Sequence, residues 1–256
     1  MPEFLYGHWP IMEALRANRR KLEQLIVAER QDKQEEKGLA AEILLAAKER
    51  GLPVQRVAKR ILDDITDEAN HQGMALRVGP YPYAEISDML ALAAERSEKP
   101  LLLILDLLKD PHNVGSLLRV ADAVGVHGVI LQDRRGVGVT SAVSASSSGA
   151  VEHQRVAQVT NLVAAMKQLK EENIWLVGLD VGQNIPPLDR VDLNMGLGLV
   201  LGSEGEGLRR LVRDTCDLLV TLPMRGKVGS LNVATAGSVA LYAAWQARGW
   251  QGWAHA

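Results

Sequence analysis

Three short segments of the 256-residue sequence combine polar side chains with glycines, a combination typical of ligand sites. The first holds Asn113 and Arg119. In the second, the run 202–207, Glu204 stands among three glycines. The third spans 222–234 and contains two basic residues followed by Ser-Leu-Asn. Glycine lets a backbone approach a ligand closely, while amide, guanidinium and carboxylate groups orient its polar atoms. These residue types predict a site that binds and positions a polar ligand.

The surrounding hydrophobic pattern places the three segments at one edge of a sheet. Apolar runs alternate with helical patterns from residue 101 onward, which is typical of a parallel sheet covered on both faces. The predicted strands are Leu101–Asp106, Gly128–Gln132, Arg155–Val159, Ile174–Asp180, Leu197–Gly202 and Leu218–Pro223. Ligands of such sheets bind at the carboxyl ends of the strands. The chemistry is therefore expected just after residues 106, 180, 202 and 223.

Each segment also has an ordinary structural explanation. Asn113 is placed to cap the helix that follows it, and Arg119 can form a solvated ion pair with the aspartate three residues on. The run 202–207 can be a plain strand-to-helix turn. The third segment can be a simple loop in which Ser230 or Asn232 caps a helix of small residues. Only the shared edge of the sheet favours a binding site over these explanations.

The same segments exclude several common sites. The run 202–207 is not followed by the Lys-Ser/Thr pair of a phosphate loop. It also lacks the position and the downstream acidic residue of a dinucleotide fingerprint. Cys216 is the only cysteine, so neither an intramolecular disulfide nor a cysteine-based zinc cluster is expected. No metal site is predicted.

Composition indicates an ordinary globular protein, with 47% hydrophobic and 23% charged residues. The formal net charge is −2, so a nucleic-acid surface would have to be a local patch. The N-terminus lacks the basic start and apolar core of a signal peptide, and no apolar run is long enough to span a bilayer. A cytoplasmic location without a membrane association is expected.

Patterning also predicts a separate front domain. Residues 1–78 read as a small α/β unit, and the Gly- and Pro-containing stretch with a polar link predicts a linker over 79–99. Residues 100–256 then form the larger domain. The serine- and alanine-rich run 141–148 is expected to be mobile or tightly packed surface.

The order and spacing of the three segments resemble the signature motifs of the SPOUT superfamily, in its SpoU/TrmH branch. The matching residues are Asn113-x-Gly115-x-x-x-Arg119, Gly202-Ser203-Glu204-Gly205, and Leu222-Pro223-Met224 through Ser230-Leu231-Asn232. This resemblance covers residues 101 to about 247. The front region is similar to the RNA-binding domain of bacterial ribosomal RNA members at Tyr6-Gly7, Glu13-Ala14-Leu15 and His71-Gln72-Gly73.

The resemblance implies a parallel-sheet SPOUT methyltransferase domain with a C-terminal trefoil knot, preceded by a small α/β RNA-binding domain. It implies a homodimer packed through the knotted domain. The implied activity is methyl transfer from S-adenosylmethionine to a ribose 2′-hydroxyl of RNA, closest to enzymes that modify a guanosine in the peptidyl-transferase loop of 23S ribosomal RNA. A transfer RNA ribose methyltransferase, a non-catalytic ribosome-assembly factor and a different α/β nucleotide enzyme are the alternatives.

The family pattern also implies roles for individual residues. Catalysis, or holding of substrate and donor, falls to Asn113, Arg119, Glu204, Ser230 and Asn232. The methyl donor is expected at Gly202, Leu222 and Leu231, with further contacts from Gly178, Leu179, Met224 and Asn232. Independently of the family pattern, the basic cluster Arg16, Arg19, Arg20 and Lys21 is expected either to contact RNA phosphate or to be a solvated helix end. The basic loop with Arg225 and Lys227 is expected to strengthen phosphate contact. Ala234 stands where the family often has serine, so one hydrogen bond is expected to be missing.

Arg119 has two candidate roles in that implied reaction. A ribose hydroxyl is a poor nucleophile until it loses its proton, so a base is expected, and the family proposal gives this role to Arg119. Arginine normally keeps its proton, so a base role requires a dry, positively charged site. The alternative is that Arg119 grips a neighbouring phosphate and aims the hydroxyl. Glu204 then either orients Arg119 or stabilises its own loop.

Overall fold

The computed structural model describes residues 3–29, 36–182 and 184–253. The chain divides into two compact units, Met1–Pro82 with Val139–His153, and Tyr83–Gly138 with Gln154–Ala256. The division at Pro82 falls inside the predicted linker. The return of 139–153 to the first unit is not part of the predicted domain boundaries, because it depends on contacts with residues far away in the sequence.

The elements follow in chain order. They are β1 (Glu3–Tyr6), α1 (His8–Ala17), β2 (Leu22–Ala28), α2 (Leu39–Glu49), β3 (Val54–Val57), α3 (Lys59–Ile65), β4 (Met74–Val78), α4 (Ile86–Glu95), β5 (Leu101–Asp106), α5 (Pro111–Ala123), β6 (Gly128–Gln132), α6 (Ser141–Ser146), β7 (Val156–Val159), α7 (Leu162–Glu171), β8 (Trp175–Leu179), β9 (Leu197–Gly202), α8 (Arg210–Thr215), β10 (Leu218–Val220) and α9 (Val233–Ala247). Short 3₁₀ turns lie at Ala150–His153 and Leu188–Arg190.

The first unit is a four-stranded sheet with a core on each face. Its strand order is β1-β4-β2-β3, with β4 antiparallel to both neighbours and β2 parallel to β3. Residues of α1 and α2 pack on one face around Leu25 and Leu76, whereas Leu62 of α3 packs on the other with Ile26. The pattern did not predict β1, β3 or α3. In β3 three of the four residues are exposed, so no buried alternation marks it.

The segment 139–153 belongs to this first unit. Its helix α6 and the following 3₁₀ turn pack against α1 and β1. Ser144 and Ser147 are fully buried. The expectation of a tightly packed segment is therefore confirmed over that of a mobile one. Small side chains permit this packing because they let two backbones approach closely.

A buried ion pair holds this segment in place and corrects one expected RNA contact. The Arg20 side chain has no exposed surface, and its Nε donates to Glu152 Oε2 at 2.9 Å. The guanidinium also lies 4.8 Å from the centre of the Tyr81 ring. Burial raises the pKa of Glu152, which Arg20 opposes, and burial raises the pKa of Tyr81 to about 12. Arg20 is thus part of the core of the unit, where RNA phosphate cannot reach it.

Replacing Arg20 by Met should lower the free energy of unfolding by about 3–5 kcal/mol, because it leaves a buried carboxylate without its partner. Urea denaturation followed by circular dichroism measures this change. Arg16→Met is the matched control, since Arg16 is half-exposed and its pair with Glu13 should contribute at most about 1 kcal/mol. Equal effects of the two substitutions would contradict the structural role of Arg20.

The second unit is a six-stranded sheet in which every pair is parallel. The strand order is β10-β8-β9-β5-β6-β7. The predicted strands at β5, β6 and β9 are confirmed to the residue, and the other three are shorter than predicted. All strands therefore end at one edge, as expected. Helix α4 lies in the predicted linker, yet its Ile86 and Met89 are buried in this core, so it is an integral part of the unit.

Helix α9 packs against α5 and β9 of the same chain. A Cβ added at Gly237 would lie 2.5 Å from both Leu117 of α5 and Leu201 of β9. Ala234, Gly237 and Ala240 are buried in this packing, whereas Ala236 and Ala243 are only partly buried. The trefoil knot and the homodimer stay predictions. Among the described residues, no helix is both long and apolar enough to cross a bilayer.

Candidate active site

A cavity of about 520 Å³ opens at the carboxyl ends of β8, β9 and β10. Eight residues expected at the site line it: Leu179, Gly202, Glu204, Leu222, Met224, Ser230, Leu231 and Asn232. Others were not expected, among them Asp180, Ser203, Thr221 and Ala236. Their position just after a strand is the signal that would have identified Asp180 and Ser203.

The glycine loop 203–207 forms one wall by folding back over the end of β9. Ser203 N donates to Gly207 O at 3.1 Å, and Gly207 N donates to Ser203 O at 2.9 Å. Gly205 and Gly207 have φ angles of 81° and 68°, which side chains disfavour. A Cβ at Gly202 would overlap the backbone of Gly207. The glycines are therefore needed for the turn itself, and their bare backbone borders the cavity.

Asn113 does not cap α5, which corrects the sequence-based expectation. The cap is Asp110, whose Oδ1 accepts from His112 N at 3.0 Å, and Pro111 begins the helix. The Asp110 carboxylate accepts a free N–H of the first turn, and Pro111, which lacks an N–H, suits the first helical position that follows the cap. The Asn113 side chain, three residues into the helix, is thus available for other contacts.

One hydrogen-bond chain joins the three sequence segments at the mouth of the cavity. The Asn113 amide nitrogen donates to Asp110 Oδ2 at 2.7 Å and to Glu204 Oε1. Asn232 Nδ2 donates to Asn113 Oδ1 at 2.9 Å. Asn232 Oδ1 accepts from Ala234 N at 2.9 Å and so caps α9, one of the two caps that the sequence allowed. Every polar group of the Asn113 amide is used, so its orientation is determined.

A second anchor fixes the start of α8 beside the glycine loop. Asp106, at the end of β5, is fully buried. Its Oδ2 accepts from Arg209 N at 2.9 Å and its Oδ1 from Arg209 Nε at 2.7 Å. Arg209 Nη2 also donates to Gln132 Oε1, 2.7 Å away. The ends of β5, β6 and the glycine loop are held together by this arginine, which sequence reasoning missed. The signal in the sequence was Asp106, a charged residue at the end of a fully buried strand, which requires a partner of opposite charge.

Another ion pair lies at the cavity wall. Arg213 Nε donates to Asp180 Oδ2 at 2.7 Å, and Val181 N donates to Asp180 Oδ1 at 2.8 Å. The hydrogen bond to Asp180 raises the pKa of the Arg213 guanidinium. Asp180 is therefore a carboxylate held in one orientation beside the cavity.

Several expected site residues lie elsewhere. Gly178 faces the core, where a Cβ would meet Leu208 at 2.8 Å, so packing alone explains this glycine. Arg119 is exposed on α5 and does not line the cavity. Six residues of α-helix place it about 120° around the helix from Asn113. Arg225 and Lys227 are exposed in the 221–232 loop and also stand outside the cavity lining.

The expected contacts of the first unit differ in exposure. Arg16 is half-exposed and paired with Glu13 at 2.7 Å. Arg19 is partly buried and donates to the backbone oxygens of Glu152 and Pro82 at 3.3 and 3.5 Å. Lys21, the neighbour of this group in the sequence, is largely exposed. Arg16 and Lys21 are thus the accessible cations here.

A parallel sheet with a glycine-bordered cavity at its carboxyl edge defines an α/β enzyme that binds a small ligand. Comparison with known proteins gives its family. A model of the SpoU rRNA Methylase family matches residues 100–242, and a model for RNA 2′-O ribose methyltransferase substrate binding matches residues 4–84. The chain belongs to the SpoU family and is an RNA methyltransferase of the TrmH/SpoU type.

Individual relatives agree with this assignment. The chain is 42% identical to YacO of Bacillus subtilis, which is assigned to the TrmH family of tRNA/rRNA methyltransferases, over 246 residues, 96% of each chain. A crystal structure of the SpoU methyltransferase AviRb from Streptomyces viridochromogenes, in complex with AdoMet, has 25% identity and a TM-score of 0.77, covering 96% of this chain and 90% of that one. An rRNA methyltransferase from Sinorhizobium meliloti shares the fold at 21% identity and a TM-score of 0.74, covering 96% and 87%.

Asn113→Asp should destabilise the protein strongly at neutral pH. The substitution keeps the shape but places a third carboxylate against Asp110 and Glu204, and it removes hydrogen bonds to charged groups worth about 1.5–3 kcal/mol each. The loss should shrink as the pH falls, because protonation of the introduced carboxyl group removes its repulsion from the two neighbouring carboxylates. Urea denaturation at pH 7 and pH 4 measures it.

Asn161→Asp is the matched control for this prediction. Asn161 caps α7 through its side-chain oxygen, which accepts from Ala164 N at 3.1 Å. Aspartate caps a helix as well as asparagine does, so the control should unfold like the wild type. If Asn113→Asp also behaves like the wild type at pH 7, the hydrogen-bond chain does not organise the site.

Proposed function

We propose that this chain transfers a methyl group from S-adenosylmethionine to a ribose 2′-hydroxyl of ribosomal RNA, with a guanosine in the peptidyl-transferase loop of 23S RNA as the target. The observation that carries the proposal is the hydrogen-bond chain Glu204–Asn113–Asn232. It sets polar groups from three distant segments at the mouth of one cavity. A fixed polar cluster beside a small-ligand cavity is what positioning two substrates requires.

The cavity residues fit the methyl donor. The volume of about 520 Å³ lies within the roughly 300–1,000 Å³ of small-molecule sites. Leu222, Leu231 and Met224 offer apolar surface for a purine, and the glycine loop offers bare backbone. Glu204 places an exposed carboxylate where a cationic ligand is favoured, whereas the charge of Asp180 is balanced by Arg213. When bound, the donor supplies an electrophilic methyl group on a sulfonium.

In this proposal the residues of the chain position the ribose and handle its proton. Asn113 and Asn232 hold Glu204 in one orientation, and Ser230 lies on the same wall. The Ala234 side chain has no hydroxyl group, so it cannot make the side-chain hydrogen bond that a serine would make there. Its backbone N–H donates to Asn232 Oδ1. Arg119 grips the phosphate next to the target or accepts the proton of the hydroxyl.

The proposal includes a homodimer. The face of α9 opposite its small residues exposes large apolar side chains, with Val239 47% and Tyr242 43% accessible. Trp250 completes a shallow hollow on this face. Contiguous exposed apolar surface of this kind marks interfaces. The front unit is proposed to bring the RNA, with Arg16 and Lys21 and, in the second unit, Arg225 and Lys227 meeting phosphate.

A methylation assay with labelled donor tests the activity. The substrates are an unmodified 23S fragment containing the peptidyl-transferase loop and unmodified transfer RNA transcripts. We expect label in the 23S fragment and a block to alkaline hydrolysis at one nucleotide, because a methylated 2′-oxygen cannot attack its phosphate. Asn113→Ala should abolish incorporation, whereas Asn161→Ala should keep it. Label in transfer RNA alone would contradict the ribosomal target, and no label in either RNA would indicate a binding protein.

Arg119→Ala separates the two roles of this arginine. We expect a rise of at least about tenfold in the KM for RNA with kcat near that of the wild type, because an exposed guanidinium on α5 can pair with phosphate oxygens. Steady-state kinetics at saturating donor measure both constants. A fall in kcat of about 10²–10⁴ at unchanged KM is the result that a general base predicts, and it would overturn the positioning role.

A further inference from the structure

The loop that follows β6 carries a basic pair to which the proposed function assigns no role. Residues 133–138 read Asp-Arg-Arg-Gly-Val-Gly, and both Arg134 and Arg135 are exposed. Within the described ranges, neither arginine has an ion pair or hydrogen bond from its side chain. Lys109, in the loop that follows β5, is also exposed. By contrast, Arg209 and Arg213, two other arginines of the second unit, already form ion pairs.

The backbone holds this loop at the same edge as the candidate active site. Val137 N donates to Leu108 O at 2.9 Å, which ties the loop to the one that precedes Asn113. Gln132, directly before the loop, accepts from Arg209 at 2.7 Å, and Arg209 follows the glycine loop. Strands β5 and β6 are neighbours, so their ends lie about 5 Å apart. The basic pair therefore stands one strand away from the Asn113 cluster.

Charge is divided along this edge. On the cavity side Asp180 is already paired with Arg213, which leaves Glu204 and Glu206 as the exposed carboxylates. These repel phosphate and favour a cation. On the β6 side, Asp133 is the one exposed carboxylate of the loop, and Asp110 is already bonded to Asn113 and to His112 N. The three cations of this side outnumber the carboxylates, so a polyanion that enters the edge is favoured there.

We propose that Arg134 and Arg135, together with Lys109, bind the phosphates of the RNA strand next to the target nucleotide and so orient its ribose towards the donor cavity. The inference rests on the proposed function and adds to it a phosphate-binding surface formed by Lys109, Arg134 and Arg135, here called the phosphate track. Arginine suits the task because its planar guanidinium pairs with phosphate oxygens in a bidentate manner. These arginines are positioning residues, since they act through the RNA.

The test compares two double variants of equal charge. Arg134→Ala with Arg135→Ala removes the pair, and Arg96→Ala with Lys167→Ala removes two exposed cations away from the carboxyl edge. We expect the first variant to raise the KM for RNA at least tenfold, with kcat within a factor of about three and donor binding unchanged. The slope of log affinity against log salt should become less steep by about 1.4, as for two phosphates of a single strand. The control should match the wild type.

The outcomes separate this inference from the proposed function. If the wild type methylates RNA and both double variants have the same KM and salt slope, the phosphate track is wrong and the activity stands. If kcat falls at unchanged KM, the arginines do not act by binding RNA, which also overturns the inference. Absence of methylation by the wild type contradicts the proposed function itself. Arg134→Lys with Arg135→Lys should restore the salt slope but only part of the KM, and its melting temperature reports folding.

Discussion

The Asn113 amide is the interaction on which the candidate site depends. Its two N–H groups reach Asp110 and Glu204, and its oxygen receives Asn232. An amide has these donors and this acceptor in one plane, so a single side chain connects the helix after β5, the glycine loop after β9 and the start of α9. Neither a carboxylate nor an apolar side chain could make all three contacts. The cavity wall, the cap of α9 and the orientation of Glu204 therefore depend on one another.

Two ion pairs with buried carboxylates each fix a local arrangement, one within each unit. Asp106 and Arg209 join the ends of β5 and β6 to the start of α8, and a fully buried carboxylate is tolerated because a backbone N–H and a guanidinium both bond to it. In the first unit, Arg20 and Glu152 play the same part for the segment 139–153. Such pairs add little net free energy compared with apolar packing, but an unpaired member is costly, so they select one arrangement.

The division of charge along the sheet edge connects the structure to a two-substrate reaction. Carboxylates border the cavity after β8 and β9, whereas the loops after β5 and β6 carry arginines and a lysine. The net charge of −2 conceals this division, because it averages both sides. In the proposed function, a cationic donor and a polyanionic RNA are each favoured at a different part of this edge, with the Asn113 cluster between them.

The sequence by itself determined the strands of the second unit and the edge at which the site lies, but not β1, β3 or α3 of the first unit. Buried parallel strands are continuous apolar runs, so β5, β6 and β9 could be predicted to the residue, and motif order identified the family. Only the tertiary structure decided which side chains meet. Asp110 took the cap expected of Asn113, Arg20 became buried, α4 joined the second unit and Gly178 faced the core. Each of these depends on partners distant in the sequence. Local sequence patterns reveal the periodicity of helices and strands. They do not reveal which residues distant in the sequence pack against one another, and this packing decides which side chains are buried and paired.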